Sequence, residues 1–129
     1  MLIVDGNNVV GAAADGWWRD PPEAVRRLLA RLQCYRARTD DEVVLVLDVP
    51  QPDLAPGDHD GVAVRYPGRR GRDAADERIL ELLHERGVEG VEGVELVTSD
   101  RALADEAAVL GASVVGSGTF LARMSRTGC

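Results

Sequence analysis

Residues 2–8 read LIVDGNN, an aliphatic triplet, an aspartate and a Gly-Asn-Asn turn. A short run of Leu, Ile and Val bounded by turn residues predicts a strand buried on both faces, as in a parallel sheet. Gly-Asn-Asn suits a β-to-α turn, because Gly6 allows positive φ and asparagine tolerates left-handed geometry and caps helices. The turn does not account for Asp5, since a desolvated carboxylate is costly without a partner. The same ending recurs twice: VVLVLD, residues 43–48, closes on Asp48, and ELVTSD, residues 95–100, closes on Asp100. In open α/β sheets such strand ends lie on one edge, where ligands bind. Three acids are therefore expected on that edge, and clustered carboxylates with no counter-charge in their motifs ask for a metal ion.

Strand and helix patterns alternate along the rest of the chain. VAVRY, residues 62–66, predicts a third strand nearer the sheet edge, and residues 94–98 and 113–115 a fourth and a fifth. Asp20 heads a helix over residues 21–38, with Pro21 and Pro22 in the first turn and Glu23 at N3. Val25, Leu28, Leu29, Leu32 and Tyr35 then follow at helical spacing. Asp73 opens a second helix over 74–86, ended by Gly87, and residues 101–110 form a third, stopped by Gly111. A short helix is expected near 118–125. The Pro/Gly/Asp-rich segment 49–61 reads as a loop and GVEGVEG, residues 87–93, as a glycine-rich connector. With right-handed crossovers this order predicts one domain over 1–129, a three-layer α/β/α sandwich around a mainly parallel five-stranded sheet.

Composition narrows the chemistry. The chain carries a net charge of −7, and all 15 of its basic residues are arginine. Without lysine there is neither a Walker-A phosphate loop nor a Schiff-base enzyme. Arg65, Arg69, Arg70 and Arg72 crowd into RYPGRRGR, residues 65–72, a basic patch on an acidic protein. Patches matter more than totals for phosphate binding. Cys34 and Cys129 make neither a CxxC pair nor a disulfide framework; Cys34 reads as a small buried hydrophobe and Cys129 as exposed and loose. No stretch is apolar enough for a membrane span and the N-terminus lacks a signal-peptide pattern, so no membrane association and a cytoplasmic location are expected. His59 and His84 are isolated and do not suit zinc. Trp17 and Trp18 read as a core plug beside a partly exposed lid that could stack on a base.

The acids separate on closer reading. Asp76 shares a helix face with Ile79, Leu80 and Leu83, at offsets of three, four and seven. The helix dipole explains an acid in a first turn but not its inward direction. A helix following a parallel strand begins over the carboxyl edge, so Asp76 is expected to point toward Asp5 and Asp100. Asp100 is also a natural N-cap, as is Ser99, and a cap is compatible with a ligand role. Asp48 reads equally well as a backbone acceptor for the following loop. Asn8 or Asn7 could orient a water or a phosphate oxygen. Glu77 lies on another face, Asp105 reads as a solvated helix acid, and Arg101 either contacts phosphate or pairs with Asp105. Magnesium takes oxygen ligands and often needs only one or two carboxylates; bound near a phosphodiester it would activate water and stabilise the leaving oxygen.

MLIVDGNNVVG, the strand ending at Asp48, DAADERI, and LVTSDRAL with GASVV together resemble the NYN-domain proteins of the PIN-like nuclease superfamily, with the YacP-like bacterial ribonucleases as the nearest likeness. The resemblance spans roughly residues 1–121. It implies a PIN-like fold and endonucleolytic cleavage of RNA with Mg²⁺ or Mn²⁺ held by aspartates. By motif, Asp5, Asp76 and Asp100 match the metal-binding acids, Asp48 the acid at the second strand, and Asn8 the polar residue beside the first acid. Asp105 falls near a fourth acid of related domains. The chain is shorter than the YacP-like proteins, so ribosome association is not carried over, and a homodimer is left open.

The expectation is a metal-dependent endoribonuclease in which Asp5, Asp76 and Asp100 coordinate Mg²⁺ or Mn²⁺, supported by Asp48. Asn8 positions water or phosphate, and Arg69, Arg70, Arg72 and Arg101 contact RNA. Two rivals stand beside it. One is the same fold as a non-catalytic RNA-binding or protein-interaction module. The other is a phosphatase of the haloacid dehalogenase type, which wants a DxD nucleophile and a lysine where this chain has DGN and none.

Overall fold

The computed structural model describes residues 1–129, the side chain of Val88 excepted. In chain order its elements are β1 (Leu2–Asp5), α1 (Gly6–Ala12), a 3₁₀ turn (Trp17–Arg19), α2 (Pro21–Thr39), β2 (Val43–Val46), β3 (Gly57–His59), β4 (Val62–Arg65), α3 (Ala74–Val91), β5 (Glu95–Val97), α4 (Arg101–Val109), β6 (Ser113–Val115) and α5 (Ser117–Arg126). The strands form one sheet in the order β3-β4-β2-β1-β5-β6, parallel throughout except at β3–β4.

The aliphatic runs at 2–5 and 43–47 occupy the middle of the sheet because both of their faces must be covered. Successive side chains alternate between faces. Leu2, Val4, Val43 and Leu45 enter a core closed by α1, α2 and α5 through Val9, Val10, Leu28, Leu32, Phe120 and Met124. Ile3, Val44 and Val46 enter a second core, closed by α3 and α4 through Ile79, Leu83, Leu103 and Ala107. Fully burying one such side chain contributes roughly 1.5–3 kcal/mol, so a strand that is aliphatic on both faces gains most at the centre. The result is the expected three-layer α/β/α arrangement.

The sheet has six strands rather than five. The additional one, β3, lies inside the 49–61 segment that reads as a loop, and it forms a hairpin with β4, Gly57 opposite Val64 and His59 opposite Val62. Asp60 and Gly61 connect them with φ of 50° and 92°, both positive as a type I′ turn requires. An edge strand needs no aliphatic run, and Gly-Asp-His leaves no hydrophobic period to read. The Asp-Gly dipeptide was the available signal.

Three local expectations are corrected. Gly6 is not at positive φ; its role is close packing, because a Cβ there would stand 2.7 Å from Leu47 Cδ2, 2.8 Å from Leu45 Cδ1 and 2.9 Å from the Val46 carbonyl oxygen. Asp73 precedes α3 in a left-handed conformation, φ 61°, and its side chain makes no cap hydrogen bond, whereas Asp20 does accept from the Glu23 N–H at 3.2 Å. Gly87 (φ 72°, ψ 172°) breaks α3 as expected, but helix resumes to Val91, so residues 87–93 are not all connector.

The largest departure concerns the cysteines. Cys34 and Cys129 form a disulfide with Cα atoms 5.7 Å apart. They are 95 residues apart in sequence, beyond any spacing rule, and meet because α5 packs back onto α2. Arg31 reinforces the junction, its Nε donating to the Cys129 carbonyl at 2.9 Å. Among the described residues no helix is long and apolar enough to cross a membrane.

Candidate active site at the carboxyl edge of the sheet

The chain leaves β1 through α1 toward one face of the sheet and leaves β5 through α4 toward the other. Such a divergence opens a crevice at the carboxyl ends of neighbouring strands, the usual ligand position in open α/β sheets. Asp5, 5 % exposed, ends β1 at this crevice. Val4 pairs with Val97, which brings the next residue, Thr98, beside Asp5. The buried Thr98 hydroxyl donates to Asp5 Oδ2 at 2.8 Å and accepts the Asp100 N–H at 3.1 Å. Asp100 caps α4, its Oδ1 accepting from the Leu103 N–H at 3.1 Å. Asp76 stands half-buried in the first turn of α3, which packs beside α4. Asp48 follows β2 by two residues and is exposed, and its N–H is held by Asn7 Oδ1 at 2.8 Å.

These four acids line one cleft of about 500 Å³ together with Asn7, Asn8, Arg72 and Asp73. From Asp73, Asp76 and Asp100 the cleft continues between α3 and α4, past Glu77 and Glu106. All four acids therefore line the same cleft, from four different segments.

Their electrostatics are those of an uncompensated site. Burial pushes the Asp5 carboxyl up to about 6 against the Thr98 hydrogen bond, and the charges of Asp76, Asp48 and Asp100 add to the rise. Asp76 is also raised to about 6, first by desolvation and then by Asp100, Asp73, Asp48 and Glu106. Partial desolvation raises Asp48 although its residue surface is open. None of the four forms an ion pair among the described residues. An all-oxygen donor set whose members repel one another fits a hard divalent cation. Asp5, Asp76, Asp100 and Asp48 are the residues that would hold it. In the arrangement seen, however, no group of three or more His, Cys, Asp or Glu side chains among the described residues is gathered closely enough to hold a metal ion.

The two asparagines tie the edge together. Asn7 reaches toward β2 through Asp48. Asn8 reaches the other way, its Oδ1 accepting from the Ser99 N–H at 2.8 Å and the Ser117 hydroxyl at 2.6 Å, while the Ser117 N–H donates to Ser99 Oγ at 2.9 Å. An N–H donor at Ser99 fixes which end of the amide faces it, so the Asn8 NH₂ is the end left for the cleft. Sequence reading missed Thr98, Ser117, Asp73 and Glu106. Thr98, two residues before Asp100, carries a signal in the strand alternation; Ser117 carries none, since its place depends on α5 folding back.

The arginines separate. Arg72 lines the cleft. Arg69 is held by Glu77, with contacts of 2.9 and 2.7 Å. Arg70 and Arg101 are exposed and line neither part of the cleft. Trp17 packs against the first core and Trp18 is 62 % exposed, with the Arg19 guanidinium 5.8 Å from its ring, so the plug-and-lid reading holds. His59 Nε2 lies 2.6 Å from the Ala55 carbonyl, and His84 and Asp105 are exposed.

The model of the YacP-like NYN domain matches residues 2–128. Two solved structures are similar in fold. Rae1 (YacP) from Bacillus subtilis superposes with a TM-score of 0.79 at 24% identity, covering 98% of this chain and 74% of that one. A tryptophan-to-leucine mutant of the same protein gives 0.77 at 22%, covering 98% and 75%. No curated protein matches.

Proposed function

The chain belongs to the YacP-like NYN domain family, and from that premise we propose that it is an endoribonuclease that hydrolyses RNA phosphodiester bonds with Mg²⁺ or Mn²⁺ held by aspartates. The observation that carries the reading is the gathering of Asp5, Asp48, Asp76 and Asp100 in one cleft, where burial and mutual repulsion raise Asp5 and Asp76 and no ion pair relieves them. The ribonuclease-like fold supports it.

In the reaction a water oxygen bonds to phosphorus as one phosphorus–oxygen bond of the RNA breaks and the leaving oxygen takes a proton. A divalent cation would lower the pKa of that water and neutralise charge on the leaving oxygen. The chain's own residues supply orientation. Thr98 fixes one oxygen of Asp5, and the helix cap fixes one oxygen of Asp100 and leaves the other free. The Asn8 NH₂ presents donors to a water or a phosphate oxygen. A cytoplasmic location belongs to this proposal; there thiol pools hold cysteines reduced, and the enzyme would work with the Cys34–Cys129 bond open.

The test is cleavage of RNA by the purified protein in Mg²⁺ or Mn²⁺, against EDTA and against Asp76→Asn and Asp100→Asn. Loss in all three is expected; activity surviving both substitutions sinks the assignment. The wide spacing of the carboxylates favours one rival, an RNA-binding module that does not cut, and binding without cleavage would establish it.

A further inference from the structure

The arginine-rich loop does not present its side chains alike. We infer that Arg72 is the phosphate-binding residue of the cleft, and that Arg69 and Glu77 are positioning residues that hold it there. This rests on the ribonuclease reading above.

Arg72 is the one basic residue lining either part of the cleft among the described residues, and it shares that lining with Asp5, Asp48, Asp73, Asp76 and Asp100. The loop's one ion pair among the described residues is made by Arg69 with Glu77, so Arg72, which lines the cleft with five acids, pairs with none of them. The backbone keeps it there. Gly71 supplies a φ of 116° that other residues rarely adopt, and Asp73, on the other side of Arg72, has a left-handed φ of 61°, a conformation that costs a non-glycine residue energy and must be held in place from outside.

Arg69 does the holding. Its Nε and Nη2 donate to the two oxygens of Glu77 at 2.9 and 2.7 Å, the bidentate fork that gives such a pair its directionality. Its remaining reach goes to the loop's own backbone, Nη1 to the Arg70 carbonyl at 3.2 Å and Nη2 to the Arg72 carbonyl at 3.0 Å. One guanidinium thus ties α3, at the residue after Asp76, to both sides of the turn. With those donors engaged, Arg69 is not available to RNA. Arg72 is, and its planar fork matches two oxygens of a phosphodiester. In a cleft lined by acids it is the group that offsets their repulsion of a polyanion and meets the charge that builds on phosphate during cleavage.

The experiment compares Arg72→Ala, Arg72→Lys, Arg69→Ala, Glu77→Gln and the Arg69→Ala/Glu77→Gln pair in the full chain. Three quantities are read: kcat and KM for RNA in Mg²⁺, the salt dependence of binding to a single-stranded oligoribonucleotide in EDTA, and hydrogen exchange over residues 68–73. Arg72→Ala should lower kcat by about a hundredfold and the salt slope by about 0.7. Arg72→Lys should restore the slope and not kcat. Arg69→Ala and Glu77→Gln should each speed loop exchange and lower kcat by about ten- to a hundredfold, and the pair should be no worse than either alone. Opposite effects on binding, weaker for Arg69→Ala and tighter for Glu77→Gln, would show Arg69 itself gripping RNA and overturn the inference. An Arg72→Ala protein with unchanged slope and kcat would overturn it too. If the wild-type protein cuts no RNA, the ribonuclease reading fails on its own. The slope at Arg72 and the matched exchange of the two latch variants then decide this inference, for if both occur and against it if either is missing.

Discussion

Asp5 and Asp76 show at the residue scale what the site costs the fold. Both carboxyls are raised from about 3.8 to about 6, so the folded protein binds their protons more tightly than the unfolded chain does. The stability this confers is fully present below about pH 4 and is lost as pH rises through 6. Replacing Asp76 with Asn removes the ionisation and should raise Tm, more at pH 8 than at pH 4.5, while abolishing cleavage. Equal Tm shifts at the two pH values would mean that Asp76 is not strained by its charge. The same carboxylates should make cation binding proton-competitive. Millimolar Mg²⁺ should raise Tm at pH 8, as any ligand of the native state does, and the effect should fade below pH 6. Thermal melts with and without Mg²⁺ across that range check it; a shift that does not fade would place the ion elsewhere.

At the level of elements, the edge is organised by close approach and by a polar clasp rather than by the acids themselves. Gly6 lets α1 start against the end of β2, and an alanine Cβ would meet the Val46 carbonyl at 2.9 Å, a backbone atom that cannot rotate aside. Gly6→Ala should therefore cost about 1–3 kcal/mol in urea denaturation and depress cleavage by shifting Asp5; wild-type stability would show that α1 tolerates displacement. This is also where sequence reading reached its limit. β1 and β2 were legible because burial on both faces demands continuous aliphatics, and Asp76 because an acid on an apolar helix face needs a reason. β3 was not, since an edge strand needs no such run. Nor was the Asn8–Ser99–Ser117 clasp, whose members are hydroxyls and an amide with many local uses and whose meeting depends on three segments 18 to 109 residues apart. The motif located the carboxylates, but the packing of α5 decides what holds them.

For the whole molecule, α5 links the cleft to the far edge of the sheet. Ser117 opens it at the clasp, and a helix of 10 residues rises about 15 Å before the chain reaches Cys129. The Cys34–Cys129 bond thus closes the molecule at the edge away from the acids. A cross-link spanning 95 residues removes much of the unfolded chain's freedom, about 4–5 kcal/mol in the chain-entropy account. Stability and activity should therefore respond differently to reduction. Dithiothreitol, or Cys34→Ser, should lower Tm markedly, while RNA cleavage well below Tm stays within about twofold, a change worth less than 1 kcal/mol of barrier. Thiol titration before and after reduction, paired with melts and rates, tests both halves. Two free thiols in the air-oxidised protein would show that the bond does not form. A large loss of rate on reduction would show instead that α5 transmits the state of the disulfide to the clasp at Asn8.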